Sequence, residues 1–211
     1  EIACLEDGAR VDLPYPLFAK PIAEGTGKGI TTASRIETEE RLREVCGRLL
    51  AEHSQPVLVE TYLPGREFTV GVVGTWREAE AVAVLEVAYR PHADAIYSYH
   101  TKSNYEDLVD YHLQDGPLGD ACKELALGVW RLLGCRDGGR LDVRCDASGR
   151  PSFIEVNPIA GLNPIISDLP ILCRMAGMEY PQLIRRIVLS AVARYPALLP
   201  LASRLRGPAG T

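Results

Sequence analysis

Asp142, Glu155 and Asn157 are the residues whose types and spacing point most directly to chemistry, because they fall on two segments that read as the arms of one hairpin. Gly139-Arg140-Leu141-Asp142-Val143-Arg144 and Phe153-Ile154-Glu155-Val156-Asn157-Pro158 both alternate apolar and polar residues, the period of a strand. The Asp146 to Pro151 stretch between them has the composition and length of a turn. Alternation puts Arg140, Asp142 and Arg144 on one face of the first arm, and Phe153, Glu155 and Asn157 on one face of the second. Leu141, Val143, Ile154 and Val156 are then expected to point into a core. Where the register joins the polar faces, two carboxylates and a carboxamide converge and offer only oxygen ligands. Such a set suits Mg²⁺, which takes one or two carboxylates and completes its shell with phosphate and water. Taken alone, the hairpin also reads as an ordinary one with an acidic outer face.

Those arms need elements to hold them. Residues 15–20 read as a strand ending in Lys20, followed by the glycine-rich loop Glu24-Gly25-Thr26-Gly27-Lys28-Gly29 and a short strand from Ile30 to Ala33. A helix is expected from Thr38 to His53, with Leu42, Val45, Cys46, Leu49 and Leu50 as its apolar stripe. Strands follow at 56–60, 67–73 and 81–89, the first two separated by the turn Leu63-Pro64-Gly65. Residues 90–116 are polar, rich in tyrosine and without a period, which in a compact domain marks a functional or disordered loop. A second helix is expected over 118–133, its stripe formed by Ala121, Cys122, Leu125, Val129 and Leu132. After the hairpin come a loop from Pro158 to Asp168, a short helix ending near Gly177 and a helix over 181–194. The order is α+β: a small glycine-loop unit over residues 1–66 and a larger antiparallel-sheet unit over 67–211.

Composition narrows the function. A net charge of −5 argues against a nucleic-acid partner, which requires clustered positive charge. No apolar run approaches bilayer length and no secretion signal opens the sequence, so no membrane association is expected and a cytoplasmic location is the working expectation. The six cysteines show no C-x-x-C spacing, and Cys46, Cys122, Cys145 and Cys173 sit within apolar patterns as small buried hydrophobes. The four histidines show no metal-type spacing. The sequence opens on Glu1, close to the glycine loop, which suggests a fragment of a longer protein.

Glycines at alternate positions of the loop let backbone N–H groups approach a phosphate closely, although no Walker motif is present. Lys20 adds a point charge suited to phosphate. The segment Glu60-Thr61-Tyr62-Leu63-Pro64-Gly65-Arg66-Glu67 links the two units as a turn. Together, Lys20 before a glycine flap, this linker, and the G-R-x-D arm followed by E-x-N-P resemble the ATP-grasp superfamily. They are most similar to its D-alanine–D-alanine ligase branch, over about Pro14 to Tyr195.

The resemblance implies the following roles. Lys20 would hold the α- and β-phosphates of ATP, and the flap around Thr26 would close over them. Glu60, Tyr62 and Leu63 would line the adenine slot, and Glu67 would bind ribose. Tyr97 to Lys102 resembles the substrate-covering loop, with Lys102 reaching the transferred phosphate. Asp142, Glu155 and Asn157 would hold two Mg²⁺ ions, Glu155 bridging them. Arg140 and the backbone N–H of Gly161 would stabilise developing negative charge, and Ser167 would bind the acceptor's carboxylate. The activity implied is carboxylate–amine ligation through an acyl phosphate, with amino acids as small-molecule partners, D-alanyl-D-alanine as the model product and peptidoglycan as its setting. A homodimer is compatible with this.

Three departures bear on substrate. Ser103 stands where these ligases usually carry a tyrosine, Pro158-Ile159-Ala160 differs from their usual residues, and the stretch from Gly161 to Ser167 is one residue longer. Two alternatives therefore stand beside the D-alanine ligase: a ligase for another amino acid or a hydroxy acid, and a non-catalytic nucleotide-binding module.

Overall fold

A computed structural model describes residues 11–25, 27–89, 109–198 and 200. Leu17–Pro21 forms β1, Arg35–Ile36 β2, Glu39–His53 α1 and Val57–Thr61 β3. These give a three-stranded antiparallel sheet in the order β2-β1-β3. Alternation turns Leu17, Ala19, Val57 and Val59 to one side, where the α1 stripe of Leu42, Val45, Cys46 and Leu49 covers them. Helix α1 starts where Thr38 Oγ1 accepts from the N–H of Arg41 and stops at Ser54, whose left-handed backbone ends the helical path. The short strand expected at Ile30 to Ala33 is absent. Thr32–Ser34 makes a single 3₁₀ turn instead, and pairing begins at Arg35.

The second sheet is built from Glu67–Val73 (β4), Glu80–Tyr89 (β5), Val109–Leu113 (β6), Gly138–Cys145 (β7) and Pro151–Asn157 (β8), in the order β6-β5-β4-β7-β8. Strand β6 corrects the expectation of a loop throughout 90–116. Val-Asp-Tyr-His-Leu alternates Val109, Tyr111 and Leu113 with polar residues, a short strand signal at the end of a polar stretch, and it joins the sheet beside β5. Helix α2 (Gly116–Leu132) lies against one face of this sheet, and α3 (Asp168–Met175) with α4 (Tyr180–Ala193) against the other.

The α2 face is a continuous apolar core of Phe68, Val70, Val72, Leu141 and Val143 against Cys122, Ala126 and Trp130. The stripe of α2 is therefore centred on Cys122-Ala126-Trp130, with Leu125 and Val129 flanking it, and Leu132 is 85% exposed rather than buried. Gly139 makes room for the indole, since a Cβ there would lie 2.8 Å from Trp130. The indole N–H donates to the carbonyl of Gly74 at 3.1 Å, so burying this ring leaves no polar atom unmet.

The described residues up to 64, with 88–89 and 109–110, form one compact unit, and 65–87 with the described residues from 111 onward form the other.

Candidate functional site

Strand register brings the polar residues of the hairpin together. Asp142 pairs with Glu155 and Arg140 with Asn157 across β7 and β8, while Asp142 pairs with Thr69 and Arg140 with Gly71 across β7 and β4. Pairs directly opposite share a face. Four of the residues picked out by alternation, Arg140, Asp142, Glu155 and Asn157, thus line one face, opposite the α2 core.

The alternation fails one step further on. A register shift at Asp142/Val143 leaves Ile154 as an extra residue, so Phe153 pairs with Val143 and Ser152 with Arg144. Phe153 does not continue the Glu155–Asn157 row as expected, and Ile154 is half-buried while Leu141 and Val143 are fully buried. A bulge of this kind re-aims the residues beside it, here Glu155.

Within the cluster, the Asn157 Nδ2 donates to Asp142 Oδ2 at 3.3 Å and to Glu155 Oε1 at 3.2 Å. One atom therefore touches both carboxylates. A half-turn of the amide would present its oxygen in place of its nitrogen, converting the set to all-oxygen. Asp142 Oδ1 accepts from Thr69 Oγ1 at 3.0 Å and from Arg140 Nη1 at 2.5 Å. Burial pushes the Asp142 carboxyl up to about 7 against the pull of Arg140, and the charges of Glu155 and Asp168 push the same way. Three carboxylates facing one guanidinium leave a surplus of negative charge that a divalent cation would relieve. Among the described residues no group of three or more His, Cys, Asp or Glu side chains is disposed as a metal site, so any cation here would rest on two carboxylates and the carboxamide.

Arg140 is only 8% exposed, and its Nε lies 3.5 Å from Asp168 Oδ2. Asp168 opens α3, whose approach to the sheet depends on Gly71: a Cβ there would sit 2.7 Å from Leu172 and 3.1 Å from Leu169. In the preceding loop, Ser167 Oγ accepts from the N–H of Asn163 at 3.1 Å, and Asn163 Oδ1 accepts from the N–H groups of Ile165 and Ile166. A Cβ on Gly161 would fall 2.6 Å from Ser167 Oγ, so Gly161 and Ser167 are neighbours.

Among the nucleotide-side candidates, Lys20 Nζ lies 2.7 Å from Glu60 Oε2 on adjacent strands of the first unit. Tyr62 stacks on Phe18 with Arg35 4.9 Å above its ring, and Leu63 beside it is half-buried. Glu67, in the second unit, accepts from Arg144 Nη1 at 3.1 Å, its cross-strand neighbour. Thr26 and Lys102, with the rest of 97–103, lie outside the described residues.

Three residues escaped sequence reasoning: Thr69, Asp168 and Tyr111, whose hydroxyl donates to Asp168 Oδ1 at 3.2 Å. Thr69 carried a signal, a lone hydroxyl inside the apolar run Phe68 to Val73, whereas Tyr111 and Asp168 carried none.

Comparison with known proteins finds a matching family. The family model described as D-ala D-ala ligase C-terminus matches residues 6–189. A D-alanine–D-alanine ligase of Cupriavidus pinatubonensis is 31% identical over 188 residues, covering 88% of this chain and 55% of the relative. One from Dechloromonas aromatica is 34% identical over 182 residues, covering 84% and 56%. The chain thus spans about half the length of the curated relatives it matches. Among solved structures, the VanG D-Ala:D-Ser ligase from Enterococcus faecalis superposes with a TM-score of 0.68 at 25% identity, over 89% of this chain and 52% of that one. The Bacillus anthracis D-alanine–D-alanine ligase complexed with ATP shares the fold, with a TM-score of 0.63 at 19% identity over 90% of this chain and 54% of that one.

Proposed function

Since the chain belongs to the D-ala D-ala ligase C-terminus family and has its α+β ATP-grasp fold, we propose that it is the nucleotide- and acceptor-binding part of an ATP-dependent carboxylate–amine ligase. The observation that carries this most is the single polar face on which Asp142, Glu155 and Asn157 meet beside the buried Arg140.

In this reaction a carboxylate oxygen of the donor substrate bonds to the γ-phosphorus of ATP, and ADP leaves with the electron pair of the broken P–O bond. The acceptor's amine nitrogen then bonds to the acyl carbon. Phosphate leaves with the donor's oxygen, and the amine proton passes to solvent. Asp142, Glu155 and Asn157 would hold Mg²⁺, two ions in the full complex, which supplies charge neutralisation on the transferring phosphoryl group. Lys20 and Lys102 contact phosphate, with the flap at Thr26 covering it. Glu60, Tyr62 and Leu63 hold adenine and Glu67 the ribose. For Lys20 and Glu67 to do so, each must exchange the ion pair it makes here for the nucleotide. Arg140 and the Gly161 N–H stabilise the oxyanion that forms as the amine attacks. Ser167, next to Gly161, receives the acceptor's carboxylate.

Amino acids are the substrates, a cytoplasmic site of action goes with ATP as cosubstrate, and a homodimer is compatible with all of it. Ser103 removes a ring-borne hydroxyl from the donor side, so the preferred pair differs from two D-alanines. The test is ADP release by the complete protein over D- and L-amino acids and D-lactate. Stimulation by a pair other than D-alanine with D-alanine is expected. Strong use of D-alanine alone at both sites would overturn the specificity, and no stimulation by any compound would leave the non-catalytic module.

A further inference from the structure

Asp142 faces two demands in the reaction proposed above, on which the present inference rests. Its carboxylate receives the Arg140 guanidinium at 2.5 Å, and the same carboxylate belongs to the set that would hold a cation. A cation drawing on Asp142 weakens its grip on Arg140, and a guanidinium on a flexible stem loses its aim when an anchor weakens. Arg140 has a second anchor. Its Nε lies 3.5 Å from Asp168 Oδ2, and the Asp168 side chain is 13% exposed. The other oxygen of Asp168 accepts from Tyr111 at 3.2 Å, which fixes the plane of the carboxylate. The two anchors come from different elements: Asp142 from β7, and Asp168 from the first turn of α3, packed on Gly71. Asn157 Nδ2 reaches Asp142 and Glu155, whereas the oxygens of Asp168 meet Arg140 and Tyr111, so Asp168 stands outside the set that would hold the cation.

We propose that Asp168, oriented by Tyr111, is a positioning residue that keeps Arg140 aimed while Asp142 serves the cation. It acts through Arg140 and touches no reacting atom. The carboxylate matters for charge as well as shape, because at 3.5 Å the contact with the guanidinium is an ion pair whose attraction goes with the charge.

The direct readout is the Nε–Hε resonance of Arg140 in the ¹H–¹⁵N spectrum of the complete protein, assigned by its loss in Arg140→Lys. In the wild type it should exchange slowly with and without Mg²⁺. In Asp168→Asn, which keeps the shape and removes the charge, its exchange with solvent should rise at least about tenfold in the presence of Mg²⁺. Tyr111→Phe should move it in the same direction by less, and serves as the test should Asp168→Asn fail to fold. Turnover provides the second arm: Asp168→Asn should lower kcat by about 10–10²-fold, the cost of a misaimed group, with the KM for ATP nearly unchanged. An unaltered Arg140 resonance in both variants would overturn the positioning role, as would a KM for ATP that rises in step with the fall in kcat. An inactive wild type whose resonance still responds would instead contradict the ligase reading and leave the positioning role standing.

Discussion

The two faces of the five-stranded sheet come from the same strands and each packs on helices through an apolar cluster, but the α3 face also buries charge. On the α2 face, Phe68, Val70, Val72, Leu141 and Val143 share one buried apolar cluster with Trp130, and each side chain gains by leaving water. On the α3 face, strand positions one residue away hold Thr69, Gly71, Arg140 and Asp142, where burial opposes charge and Arg140 and Thr69 partly offset that cost at Asp142. Period two thus divides the labour: one set of positions supplies rigidity, and the other carries the polar cluster proposed for the chemistry.

Mutation on each face should separate the two. The largest stability change is expected for Trp130→Ala, which empties a fully buried indole site and should cost about 3–5 kcal/mol, read from the denaturation midpoint. Asp142→Asn should do the converse. Turnover should fall about 10²–10³-fold, while stability falls by less than about 2 kcal/mol. Relief of the repulsion from Glu155 and Asp168 offsets the weakened contact with Arg140.

A smaller effect should follow pH. The hydrogen bonds from Arg66, at 2.6 Å to each oxygen, hold the Glu86 carboxyl below its ordinary value despite partial burial. A depressed folded pKa contributes stability that is present above the unfolded value of about 4.3 and is lost as pH falls through the lower folded value. Glu86→Gln should therefore lower neutral-pH stability by about 0.2–1 kcal/mol and flatten the loss on acidification. Least of all, Leu132→Ser should change stability by under about 0.5 kcal/mol, because that leucine, expected on the buried stripe, is 85% exposed.

What the sequence disclosed follows the same division. Alternation over Arg140 to Arg144 and Glu155 to Asn157 revealed the site-bearing face, because a half-buried hairpin writes its geometry at period two. It could not reveal the extra Ile154, since a bulge is a count of pairing partners across strands and leaves no periodic mark. The core of α1 was visible as a run of aliphatic residues at helical spacing, while that of α2 was displaced because Trp130, its largest member, and Gly119, its smallest, do not look like a leucine stripe. Lys20 and Glu67 stood out as charges at strand positions, but their partners Glu60 and Arg144 are set by cross-strand neighbourhood. Tyr111 and Asp168 lie 57 residues apart, and only packing joins them to Arg140.

In the proposed reaction a carboxylate is activated as an acyl phosphate on the face carrying Asp142, Glu155, Asn157 and Arg140. Transfer of ¹⁸O from a labelled donor carboxylate, measured by mass spectrometry of the phosphate released from Mg-ATP by the complete protein, tests it most directly. One labelled oxygen is expected in each phosphate formed along with product. Phosphate released without label, with all its new oxygen from water, would show plain ATP hydrolysis and contradict it.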